Sequence, residues 1–310
     1  MLELLDKPDA ETQKEWIKDF IRNASLEITP GDQKKVSHFT DVMNPGRRVF
    51  ITHLPGADPS KMIDTAIRLR QDGMEPIPHL AARSMLGPPQ LKQTLERLRN
   101  EADVRDVLII GGGVDKPVGK FKSTLDMLET GYFEEFGLRS IGVAGHPEGN
   151  MDIPEEDIRH ALQFKNEYAI TNNVHMYIVT QFVFDAAPIF DWLDKIEKWG
   201  NKLPVNIGLP GPASIKRLIK YGQMCGVRTS YRFFQRQGTR LFRLASVSTP
   251  DYMISLLAQY YAQSENCPIT RLHFYNFGGL RRTMKFLQAV ENGHFDVKKL
   301  TTGFVIHPDL

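Results

Sequence analysis

Eight strand-like runs, each ending in a polar residue or a glycine and each leading into an amphipathic segment, predict an α/β chain folded as a (β/α)8 TIM barrel. Two further observations point the same way. Apolar runs such as Val107–Ile110 suit parallel strands buried on both faces. The chain has 310 residues, 41% of them hydrophobic, which is enough for one large core, and barrels commonly exceed about 250 residues without dividing. One catalytic domain over residues 1–310 is expected.

Residues 1–23 read as an N-terminal helical extension, because Trp16, Ile17, Phe20 and Ile21 fall at helical spacing; it is expected to cap the barrel bottom. The strands follow as Ser25–Thr29, Val49–His53, Glu75–His79, Val107–Ile110, Ser140–Ala144, Met176–Thr180, Pro204–Ile207 and Arg271–Tyr275. Between them, helices are expected at Pro59–Gln71, Pro88–Glu101, Phe121–Phe133, Pro154–Glu167, Ala187–Trp199, Pro212–Tyr221 and Asp251–Ser264. Several open on proline, whose missing N–H costs nothing in a first helical turn. An insertion, Arg228–Ser248, precedes the eighth strand and carries Arg228, Arg232, Arg236, Arg240 and Arg243. That series reads either as a solvated face or as a means of steering an anionic ligand. Residues 293–310 form a mixed tail with no pattern that predicts its docking.

Thirty-nine basic and 37 acidic residues are spread along the chain for a formal charge of +2, so composition offers no basic face and nucleic acid is not expected as a partner. Cys225 and Cys267 form no CxxC pair and are expected to be small buried hydrophobes. Charges interrupt the first 18 residues, and no run approaches the roughly 18 apolar residues of a membrane span. A cytoplasmic setting without membrane association is the expectation; a homo-oligomer is left open.

Barrel topology gathers the strand ends on one face: Glu27, Thr52-His53, His79, Gly111-Gly112-Gly113, His146-Pro147-Glu148, Thr180-Gln181, Gly208 and Tyr275. Glu27 is the only carboxylate in its run and reads as a catalytic acid, with an internal ion pair as the alternative. The three glycines either make a turn or let backbone amides approach a ligand. His53, His79 and His146 raise a metal-dependent hydrolase, but no His-x-His pair occurs and no metal is expected. No strand ends in cysteine or lysine and there is no GxSxG, which disfavours nucleophilic catalysis. One acid, several imidazole and amide donors and glycine-lined space suit a site whose hard chemistry belongs to a cofactor.

Read in order, Ser25-Leu26-Glu27-Ile28-Thr29-Pro30, Phe50-Ile51-Thr52, Pro78-His79-Leu80, Ile110–Asp115, Val143-Ala144-Gly145-His146-Pro147-Glu148, Thr180-Gln181-Phe182-Val183-Phe184-Asp185 and His273-Phe274-Tyr275 resemble the methylenetetrahydrofolate reductase family. The resemblance runs from about residue 25 to 287; the Thr180–Asp185 and His273–Tyr275 pieces are its more specific parts. It implies reduction of 5,10-methylenetetrahydrofolate to 5-methyltetrahydrofolate, with FAD carrying hydride from NAD(P)H. Glu27 matches the family's general acid and Gln181 the residue that holds the pterin. Thr52, His79, Ala144 and Lys165 fall on flavin-contact positions, and Tyr221 falls where an aromatic stacks on the bound substrate or nucleotide. His53, Gly111, Gly112, Gly113, Asp115, His146 and Asn150 complete the expected cofactor contacts, and Tyr275 joins the substrate contacts.

The chain also departs from the family pattern. Ile110-Gly111-Gly112-Gly113-Val114-Asp115 stands where the family has Leu-Arg-Gly-Asp, His146 replaces a tyrosine, Asn150 a histidine, and Gly278-Gly279 interrupts the segment that normally carries an arginine. These differences keep open a flavin-independent reductase with direct hydride transfer, a folate-binding methyltransferase component, and an inactive barrel serving as a partner subunit. Gln181 as a core amide, Tyr275 as packing and Lys165 as ordinary surface are the plainer readings of those residues.

Overall fold

The computed structural model describes residues 8–54, 56–227 and 247–307. Strands β1 (Ser25–Ile28), β2 (Arg48–Ile51), β3 (Glu75–Ala81), β4 (Asp106–Ile110), β5 (Ser140–Gly145), β6 (His175–Phe182), β7 (Val205–Pro210) and β8 (Ile269–Tyr275) close into a barrel. Every neighbouring pair is parallel, including the closing pair β1–β8, in which Glu27 lies beside Tyr275. The expected fold class is therefore the observed one.

Alternation along the strands divides the core in two. Residues such as Leu26, Val49, Ile51, Val107, Ile109, Ile141, Val143, Ile207 and Phe274 point outward into one large cluster beneath the helices. Phe50, Ile77, Leu108, Tyr177 and Val179 form a separate cluster inside the barrel. Below it, the even strands supply a polar layer. Arg48 pairs with Asp106, the Tyr177 hydroxyl donates to Asp106 Oδ1 at 2.8 Å, and Arg48 Nη2 donates to the same hydroxyl at 3.2 Å. Contribution of one layer by alternate strands is the usual way such a barrel is filled. The lower end is thus sealed and the chemistry is left to the upper one.

Helix α1 (Ala10–Arg22) packs against the two helices flanking β8, with Phe20 stacked on Tyr261 at 4.9 Å. Helices α2 (Pro59–Gln71) and α3 (Pro88–Ala102) both begin on proline. The helix expected over Phe121–Phe133 is broken into α4 (Thr124–Leu128) and α5 (Tyr132–Glu135), because Gly131 adopts φ 69° between them. Helix α6 (Glu155–Thr171) carries Lys165 and α7 (Ala187–Lys198) precedes β7.

After β7 the chain makes an excursion rather than a single helix. Ala213–Ser214 pairs antiparallel with Val247–Ser248, and α8 (Ile215–Met224) leaves from that ribbon. The arginines of the insertion, Arg228 to Arg243, lie outside the described residues. Helices α9 (Asp251–Gln263) and α10 (Leu280–Glu291) complete the ring, and the tail docks as a hairpin of Phe295–Val297 with Phe304–Ile306, seated by Phe304 against Phe286 of α10 at 6.1 Å. The cysteines differ from expectation: Cys267 is only half-buried, and Cys225 is exposed because it caps the C-terminus of α8. Among the described residues, no helix is long and apolar enough to cross a membrane.

Candidate active site

Glu27 faces inward near the top of β1, with 13% of its side chain exposed. Its neighbours come from three strands. The Thr52 hydroxyl, just past β2, donates to Glu27 Oε1 at 2.6 Å. His273 Nε2 on β8 stands 3.4 Å from Oε2, and His79 Nε2 on β3 stands 3.6 Å from the same oxygen. Beneath His273, Ser25 Oγ lies 3.0 Å from Nδ1. Phe50 packs edge-on against both imidazoles, with centroids 4.5 Å from His273 and 6.0 Å from His79. An acid thus sits over an apolar floor with its lone pairs directed at donors.

Burial alone would raise the Glu27 carboxyl. It is outweighed by His79, by the hydrogen bond and charge of His273 and by the Thr52 hydroxyl, which together hold the group below its ordinary value. In this pocket its donors therefore favour the ionised form. His79 is pulled down to about 4 by burial, against the opposing pull of Glu27. His79 Nε2 makes no hydrogen bond among the described residues although the residue is only 5% exposed.

Beside Glu27, a cavity of about 170 Å³ opens between the β2 and β3 loops, lined by Thr52, His53, His79, Ser84 and the apolar Met62 and Met85. His53 Nε2 and Ser84 Oγ are, like His79 Nε2, buried without a hydrogen-bond partner among the described residues. Burial lowers the His53 imidazole, which favours its neutral form. Three unpaired polar atoms in an apolar wall are what a polar heteroaromatic ring requires.

The β4 loop departs from the expected cradle. Gly111 and Gly113 have open space where a Cβ would stand, as a ligand-facing loop needs. Gly112 does not: it adopts φ 95° and a Cβ there would meet the Ala81 Cβ at 3.3 Å, so its glycine is required by the loop itself. Arg83 pins this loop, accepting from Val118 N–H with its carbonyl at 2.9 Å and donating from its guanidinium to the Asp115 carbonyl. The Asp115 side chain points to solvent, and Arg83 is a residue that sequence reasoning missed.

On the β5 side, Ala144 is half-buried at the strand end. His146 is pulled down to about 4 by burial and then by Lys165, and burial pulls the Lys165 ammonium down to about 8. These two lie close enough for one charge to act on the other. Asn150 Oδ1 accepts from the Asp152 N–H at 2.9 Å in a local turn.

The opposite wall is aromatic. Gln181 Oε1 accepts from Phe182 N–H at 3.1 Å, which fixes the amide's orientation and leaves its NH2 as the group available to a ligand. Tyr275 commits its hydroxyl to the Thr180 carbonyl at 3.0 Å, so it contributes ring surface rather than a hydrogen bond. Tyr221 stacks on Phe277 with centroids 4.2 Å apart and planes 13° apart, and Phe277 also meets Phe182 at 4.8 Å. Gly278 lets this loop close, since a Cβ there would lie 1.7 Å from the Pro212 carbonyl oxygen. Phe277 and His273 were missed as site residues; the signal for His273 was its two-residue spacing from Tyr275 on β8, which puts both on the inner face, whereas Phe277 lies in the turn beyond the strand, where alternation gives no signal.

Among the described residues, no group of three or more His, Cys, Asp or Glu side chains is placed to hold a metal ion. No family model matches the chain. In sequence it is similar to methylenetetrahydrofolate reductase 1 of Schizosaccharomyces pombe, 28% identical over 167 residues. That stretch is 52% of this chain and only 25% of the yeast protein, so the chain spans about a quarter of that relative's length. Among solved structures it is similar to the Yersinia pestis DHPS with a pterine-sulfa conjugate (12% identity, TM-score 0.44, 88% of this chain and 94% of that one). The dihydropteroate synthase of Thermus thermophilus gives the same identity and TM-score, over 88% of this chain and 95% of that one. Likenesses of this size add nothing to the fold read from strand pairing.

Proposed function

We propose that this chain is a folate-directed oxidoreductase that reduces 5,10-methylenetetrahydrofolate to 5-methyltetrahydrofolate at the expense of NAD(P)H, with Glu27 as the general acid. The observation that carries the reading is the Glu27 carboxyl, supported at both oxygens by Thr52 and His273 in the barrel mouth. The similarity to the yeast reductase supports the substrate class.

In this reading the folate ring lies against the Tyr275 and Phe277 rings, which the buried Phe182 backs, and the Gln181 NH2 donates to an acceptor on the pterin edge. Glu27 delivers a proton to the folate nitrogen that leaves the bridging carbon, and the opened iminium carbon accepts hydride. The apolar floor and the aromatic wall exclude water from that cation. FAD, when bound, would relay hydride from the nicotinamide nucleotide to the folate. The residues that fit it are the unpaired His53, His79 and Ser84 around the side cavity, Thr52, the open Gly111 and Gly113, and the His146–Lys165 pair beside Ala144.

The test is an assay of methylenetetrahydrofolate reduction by NAD(P)H with and without added FAD, together with the absorption spectrum of the purified protein. Turnover that requires FAD supports the reading in full. Turnover without flavin keeps the reaction and assigns the side cavity to the nicotinamide nucleotide; no turnover with either overturns the proposal.

A further inference from the structure

Glu27 is not an isolated acid. On the side away from the barrel mouth it meets His273, which is fully buried, and His273 in turn meets Ser25, also fully buried. The Ser25 hydroxyl has two partners: His273 Nδ1 at 3.0 Å and the Leu272 carbonyl at 3.4 Å. A carbonyl can only accept, whereas Nδ1 can either accept or donate. The hydroxyl can therefore take two arrangements without leaving a buried polar atom unpaired. It donates to a bare Nδ1, or it accepts from a protonated Nδ1 and donates to Leu272.

We propose that Glu27 and His273 hold one proton jointly, with Ser25 as the positioning residue whose hydroxyl accepts from His273 Nδ1–H while that proton is used. This rests on the reading of Glu27 as an acid. With the proton present, the pair is a carboxylate beside an imidazolium, or equally a carboxylic acid beside a neutral ring carrying its hydrogen on Nδ1. In either form Ser25 accepts from Nδ1–H and donates to Leu272. During the acid step the Nε2–H bond breaks and an O–H bond forms at Glu27 Oε2. That O–H bond then breaks as a bond forms to the substrate nitrogen, leaving carboxylate and a neutral imidazole whose hydrogen stays on Nδ1, where Ser25 accepts it. Solvent restores the proton after product leaves.

The other groups facing this pair do not duplicate the role. Thr52 bonds the opposite carboxyl oxygen, and its hydroxyl does not titrate in this range. His79 stands 3.6 Å from Oε2, without a hydrogen bond. The Tyr275 ring meets His273 edge-on at 5.0 Å and has its hydroxyl on Thr180. Cys225 is exposed at its helix end, yet its thiol is pushed up to about 11 by desolvation and then by the Glu27 charge, so it stays protonated. Phe50 seals the remaining side of His273.

The experiment is a pH titration of the full chain labelled with 15N-histidine, without substrate, following the His273 ring nitrogens in wild type, Glu27→Gln and Ser25→Ala. Glu27→Gln removes the charge that favours imidazolium, and Ser25→Ala removes the acceptor for Nδ1–H. Both should lower the His273 titration by about one pH unit or more, since one lost hydrogen bond to a charged group has that size. His146 should be unmoved. Ser25→Ala should also lower kcat about tenfold and shift its pH profile with KM unchanged, and His273→Gln, which keeps an N–H for Glu27 but cannot titrate, should abolish the corresponding limb of that profile. An unchanged His273 titration in both variants overturns the proposal. Because the titration needs no turnover, a wild type that fails to reduce folate would count against the function and not against the shared proton.

Discussion

Thr52 Oγ1 donates to Glu27 Oε1 at 2.6 Å, closer than either His273 or His79 comes to the other carboxyl oxygen. The same hydroxyl lies 3.1 Å from the Ile28 carbonyl, and with one proton to give it serves the closer oxygen. This bond favours the ionised acid, so it works against the proton that catalysis needs until substrate binds.

Thr52→Val keeps the shape and removes that donor. The Glu27 carboxyl should then rise, and because the acid form is the active one, the high-pH limb of kcat should move upward by roughly one to two units. A pH–rate profile from about pH 5 to 9 measures it. A limb that stays put or moves down would show that Thr52 does not set the acid's ionisation.

Gln181→Glu tests whether the amide NH2 reads the substrate. A carboxylate still accepts from Phe182 N–H, but it offers the ligand no donor. The KM for the folate should rise and kcat/KM should fall by about tenfold to a hundredfold, as expected when a buried acceptor loses its partner. Oxidation of NAD(P)H by an artificial acceptor should be nearly unaffected. Equal losses in both assays would make Gln181 a structural residue.

Lys165 loses its charge as pH rises through about 8, a value set by burial. If its ammonium holds an anionic part of the cofactor, FAD affinity should be strongest below that pH and weaken above it. Bound phosphate would itself push the transition upward. Fluorescence quenching of FAD at pH 7 and pH 9 measures the change, and Lys165→Met should flatten the dependence while weakening binding roughly tenfold. A wild-type affinity independent of pH, matched by the variant, would remove Lys165 from the site.

The barrel was legible because its signals are local and periodic. The apolar run Val107–Ile110 lies inside β4 as Asp106–Ile110, and Pro59 opens α2 as its fixed backbone angle predicts. Glu27, Thr52 and His79 could be placed at strand ends for the same reason. What stayed hidden depends on contacts distant in sequence. The approach of Ser25 to His273 spans 248 positions, and nothing near either residue announces it. Gly112 was read as a ligand contact, because sequence cannot show that Ala81 stands behind it. The ionisation of Glu27 was likewise out of reach of the sequence, since His79, His273 and Thr52, all distant in sequence, decide it.

The central claim is that Glu27 is the proton donor, and kcat for methylenetetrahydrofolate reduction by NAD(P)H, with FAD supplied, compared between wild type and Glu27→Gln tests it most directly. Glutamine keeps the volume and an acceptor for Thr52 but carries no acidic proton. The account predicts a measurable wild-type rate and a loss of about a hundredfold or more in the variant, with the circular dichroism spectrum and FAD affinity preserved. A Glu27→Gln enzyme that turns over within a few-fold of wild type would contradict it.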